Sequence, residues 1–112
     1  DGSDTEAVQE RNLERIIVQK WIAIFPLGVE AWSEHRRTGY PKLLPVPTDK
    51  SGGSVNVEQG ARRLPYPVEE YQQNNANLQA AIQTLGAEQQ NGDRSGDVMG
   101  TRVWWDCKPY NK

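Results

Sequence analysis

Residues 5–41, TEAVQERNLERIIVQKWIAIFPLGVEAWSEHRRTGYP, decide the fold. From Thr5 to Phe25 the apolar side chains Val8, Leu13, Ile16, Ile17, Trp21 and Ile24 recur at mostly three- and four-residue steps, while Glu6, Glu10, Arg11, Glu14 and Arg15 fill the other face. That spacing predicts an amphipathic helix, because a repeat of about 3.6 residues gathers one side chain per turn onto one stripe. Ser3 and Glu6 stand at capping-box spacing ahead of it, and Pro26, which has no N–H to donate, ends it. Val18, Ile22 and Phe25 add a second apolar stripe, so the last turns are expected to be buried on two sides. A second helix is expected from about Leu27 to Thr38, with Arg36 and Arg37 at the end that favours cations, Gly39 as a left-handed cap and Pro41 as a further stop. Residues 3–40 therefore read as an αα-hairpin.

Working outward, Pro41, Pro45, Pro47, Pro65 and Pro67 with Ser51-Gly52-Gly53-Ser54 between them describe an extended, Pro/Gly-rich crossing over 41–67, expected to lie across another surface. Residues 68–86 read as helical: one turn at Glu69, Glu70 and Tyr71, then a helix capped by Asn74 or Asn75, lined by Leu78, Ala81, Ile82 and Leu85 and ended by Gly86. Residues 87–112 read as an exposed loop to Gly100 and a tryptophan-containing tail, in which Val103-Trp104-Trp105 alone has strand character. The fold class is mainly α with little β, and there is no internal repeat.

Composition narrows the function. The 112 residues make room for one domain, and 36% hydrophobic residues, a mean hydropathy of −0.81, ten Gly and seven Pro imply a small core. Thirteen Lys and Arg against fifteen Asp and Glu leave a net charge of −2, without the basic footprint of a nucleic-acid binder. The longest apolar run, Ile16 to Phe25, is broken by Gln19 and Lys20 and falls short of the roughly 20 residues a membrane helix needs. A single cysteine, Cys107, and a single histidine, His35, exclude an internal disulfide and a structural zinc site. The opening Asp1-Gly2-Ser3, with neither an initiator Met nor a hydrophobic leader, reads as a processed product or a fragment.

Candidate chemistry is sparse. Glu30 and Glu34 share a helix face, as the acid and base of a glycosidase could, but among His35, Arg36 and Arg37 they read as solvated charges, with Arg37 or Thr38 as partners of Glu34. Asp93 and Asp97 lack a calcium-loop pattern and read as a polar turn, Cys107 reads as a plain thiol, and Ser51 to Ser54 lacks the Lys of a phosphate loop. The sequence implies no cofactor. Trp21 and Trp32 sit on the apolar faces of their helices and are expected to anchor the core. Trp104 and Trp105 would face opposite ways in extended chain, and their flat rings are the candidates for stacking on sugar.

Three stretches are more specific: QKWIAIFPLGVEAWSEHRRTGYPKLLPV at 19–46, ARRLPYPVEEYQQNNANLQAAI at 61–82 and TRVWWD at 101–106. In that order they resemble the C-terminal segment of the SusD/RagB family of surface-exposed, lipid-anchored nutrient-binding lipoproteins of Bacteroidetes outer membranes. The resemblance implies a parent several times longer with a tetratricopeptide-like helical body. It further implies a non-enzymatic function: capturing oligosaccharides, or sometimes peptides, for a SusC-like TonB-dependent transporter on the extracellular face of the outer membrane. The family's lipid-bearing cysteine lies at the mature N terminus, so Cys107 does not correspond to it, and its glycan-contacting aromatics lie mainly upstream of this segment. On this view Gly39 and Pro41 stop a helix, and Arg62 and Arg63 satisfy carboxylates or backbone carbonyls where extended chain crosses the helical body. A different class of reading makes the hairpin a scaffold that docks a partner helix and touches no sugar.

Overall fold

The computed structural model describes residues 2–44, 46–55, 57–87 and 96–106; Pro45, Asp93, Cys107 and Tyr110 lie outside the described residues. Among the described residues there are four helices and no strand: α1 (Gly2–Ala23), α2 (Gly28–Thr38), α3 (Val68–Gln73) and α4 (Asn75–Ala87). The described residues divide into two compact units, residues 2–43 and residues 44–106.

In the first unit α1 packs against α2. The turn between them forms where Pro26 cannot continue the ladder: Ile24 N–H still donates to Lys20 O at 2.9 Å, but Leu27 N–H turns to Ile24 O at 2.7 Å and Gly28 N–H to Pro26 O at 2.8 Å. α1 starts earlier than expected, at Gly2, so Ser3 lies inside the first turn and not at the cap. α2 ends where expected: Gly39 takes φ 77°, and its N–H donates to His35 O at 2.8 Å. The side chains finish the stop. Thr38 Oγ1 donates to Glu34 O at 2.7 Å and accepts from Tyr40 N–H at 3.2 Å. Pro41 O lies 3.1 Å from His35 Nδ1, and since a carbonyl only accepts, Nδ1 carries the proton.

The interior of this unit is more polar than the apolar stripe suggests. Among its described residues the buried hydrophobics are Ile17 and Tyr40, and beside them Glu34, His35, Arg36 and Thr38 are buried. Tyr40 donates its hydroxyl to Glu10 Oε1 at 2.7 Å, tying the end of α2 back to the first half of α1. Burial, then the carboxylates of Glu10 and Glu14, push that phenol up to about 12. The expectation of two-sided burial for the end of α1 is corrected: Ile22 and Phe25 are exposed, and Trp21 is 41% exposed. One eleven-residue helix can cover only one stripe of its neighbour, and that stripe carries Ile17. Trp32 is half-buried, with the Arg36 guanidinium stacked on its ring 3.6 Å from the centroid.

In the second unit the Pro/Gly-rich stretch folds onto the late loop. Gly100 N–H donates to Ser54 O at 2.7 Å, and Arg62 and Arg63 N–H both donate to Met99 O, at 2.7 and 3.2 Å. Asp49 Oδ1 starts the intervening turn by accepting from Ser51 N–H at 2.7 Å and Ser51 Oγ at 2.6 Å. α3 follows Pro67, and Asn74 N–H, donating to Glu70 O at 3.0 Å, closes it before α4. α4 buries Leu78 and runs one residue past Gly86. Two loop expectations change: residues 96–100 are half-buried or buried, and Val103–Asp106 is a turn, closed by Asp106 N–H to Val103 O at 2.9 Å.

Gly39→Ala isolates the cost of the left-handed stop, since a Cβ there meets nothing within 4 Å and only the backbone conformation resists it. The variant is expected to lose about 1–2 kcal/mol in chemical denaturation followed by circular dichroism, with no new contact made or broken.

Candidate functional site

The densest chemistry in the chain lies in the second unit, where residues far apart in sequence meet as buried ion pairs. Arg62 grips Asp106 with two prongs, Nε to Oδ2 at 2.7 Å and Nη2 to Oδ1 at 2.5 Å, with side chains 3% and 0% exposed. Arg102 Nη1 reaches the same residue at both its carbonyl O and Oδ1, each at 3.3 Å. A charge this deep is stable only because planar guanidinium and carboxylate match in shape as well as sign. This anchor fixes the turn that presents the two late tryptophans: Trp104 is 80% exposed and Trp105 half-buried.

A second cluster gathers on Asp97. Its Oδ1 accepts from Arg63 Nη1 and from Tyr66 N–H at 2.9 Å, and its Oδ2 accepts from the Tyr71 hydroxyl on α3. Arg63 also lies over the Tyr66 ring, 4.7 Å from its centroid. Burial pushes the Asp97 carboxyl up, but the donors from Tyr71, Arg63 and Tyr66 outweigh it and hold the group below its usual value. The same bond to Asp97 raises the Tyr71 phenol. Asp97 does lie in a turn of the late loop, and beyond that expectation it holds the loop to α3 and to the Arg63–Tyr66 segment.

The first unit holds the paired carboxylates of α2, Glu30 and Glu34. Arg37 donates to both oxygens of Glu34 at 2.9 Å, and Lys20 Nζ lies 3.1 Å from Glu30 and 3.3 Å from Glu34. Arg37 first, then Lys20, overcome burial and lower the Glu34 carboxyl, the reverse of what a general acid needs. Among the described residues no group of three or more His, Cys, Asp or Glu is placed to hold a metal ion, and no helix is long and apolar enough to cross a membrane.

The site residues read from the sequence thus fall in separate places. Trp21, Trp32, Gly39 and Pro41 belong to the hairpin unit, and Arg62, Arg63, Trp104 and Trp105 to the other. Sequence reading missed Asp97 and Asp106 as partners. The adjacent arginines signal a need for anions, but their partners lie 34 and 44 residues away, beyond any local pattern.

Asp106→Asn leaves the Arg62 guanidinium buried without its counter-charge and is expected to cost about 3–5 kcal/mol in chemical denaturation. Arg37→Ala, which removes a side chain 54% exposed, should cost about 0–1 kcal/mol. Acid should loosen the second unit through Asp97. Folding lowers its pKa below the ordinary 3.8, so the unfolded chain takes up the proton first as pH falls. The stabilisation is complete above about pH 4 and is lost as pH descends through the lowered value. A melting series across that range should show the loss, and Asp97→Asn should flatten it.

The solved structures most similar to this chain include a SusD homologue of Bacteroides thetaiotaomicron, 58% identical over 93% of this chain and 21% of its own, at a TM-score of 0.80. A SusD homologue of Bacteroides ovatus is 56% identical over 88% of this chain and 20% of its own, at 0.78. A chitin-binding SusD homologue of Flavobacterium johnsoniae is 45% identical over 89% of this chain and 19% of its own, at 0.75. The chain thus spans about a fifth of the length of these relatives. No curated protein sequence matches it. The SusD-like family model, described as Susd and RagB outer membrane lipoprotein, matches residues 2–106, taking in both the helical hairpin and the arginine–carboxylate unit. With the match running from α1 through Asp106, and the helical fold shared with the solved homologues, the chain belongs to the SusD-like family.

Proposed function

We propose that these 112 residues are the C-terminal segment of a longer SusD-like lipoprotein that captures oligosaccharides without cleaving them. It acts on the extracellular face of the outer membrane, through a lipid anchor borne elsewhere in the protein, and hands its ligand to a SusC-like TonB-dependent transporter. The observation that carries this reading is the 45% identity over 89% of the chain to a chitin-binding SusD homologue. The chemistry is consistent with binding and not turnover: Glu34 and Asp97 are held ionised by cations and phenol, and Asp106 is locked between two arginines. Neither Glu34 nor Asp97 is poised to give up a proton near neutral pH.

A second reading has an observation of its own. The same locked pairs suit a scaffold segment, in which the polar groups serve each other and ligand is held elsewhere in the protein.

Calorimetric titration of the intact protein that carries these residues, against a panel of oligosaccharides including chitohexaose and maltohexaose, tests the proposal. At least one sugar is expected to bind and to be recovered uncut by chromatography. Cleavage of any sugar, abolished in Glu30→Gln or Glu34→Gln, would overturn the non-enzymatic reading.

A further inference from the structure

We draw no further inference here: the strongest candidate, the apolar groove at the α1–α2 turn lined by Trp21, Ile22, Phe25 and Leu27, belongs to a chain that spans about a fifth of its relatives' length, and nothing in the structure shows what covers it.

Discussion

The Arg62–Asp106 pair is the constraint on which the second unit depends. Both groups are removed from water, at 3% and 0% exposure, where either ion alone is unfavourable by several kcal/mol, about the whole stability of a small domain. Each therefore exists in this place only with the other. The pair closes a loop of 44 residues and draws the late tryptophan turn onto the start of the Arg62-Arg63 segment. Arg63 and Asp97 repeat the arrangement one residue along the chain and bring α3 in through Tyr71. Neighbouring arginines thus recruit two carboxylates from one late loop, and a stretch with little apolar material gains a defined shape from charge.

The hairpin unit solves the same shortage differently. With Ile17 and Tyr40 as the buried apolar side chains among its described residues, it fills the remaining interior with polar side chains from the last turns of α2. Thr38 bonds to the Glu34 carbonyl, His35 to the Pro41 carbonyl, and Arg36 stacks on Trp32. This leaves a groove of about 570 Å³ at the α1–α2 turn, lined by Trp21, Ile22, Phe25, Pro26, Leu27, Gly28 and Ala31. A surface so apolar is costly to leave in water, which makes it the clearest sign of how far burial within this unit falls short of its apolar stripe.

The glycan-binding function proposed for this chain gives these devices a context of binding and not of catalysis. A binder's carboxylates can be used up as struts, because nothing requires them to exchange protons with a substrate. A hydrolase needs two carboxyls whose pKa values are pushed apart, whereas here Glu34 and Asp97 are both driven downward. On that proposal recognition falls to surfaces that do not titrate.

The sequence by itself determined the helices and their stops. α2 ends at Gly39 because only glycine takes φ 77° without strain, and the turn before it exists because Pro26 has no N–H; both rules act within a few residues. The family was legible for a similar reason, since its runs, from the hairpin to TRVWWD, are contiguous in the chain. What the tertiary structure alone decided is which charges meet and which tryptophans are covered. Asp97 looked like any loop acid, and Asp106 was legible only as the last residue of TRVWWD, until folding set each against an arginine 34 and 44 residues away. Trp21 and Trp104 likewise took their exposure from the packing around them. Local rules act through neighbouring backbone atoms and can be read in order, whereas pairing and burial depend on separations in space that sequence distance does not encode.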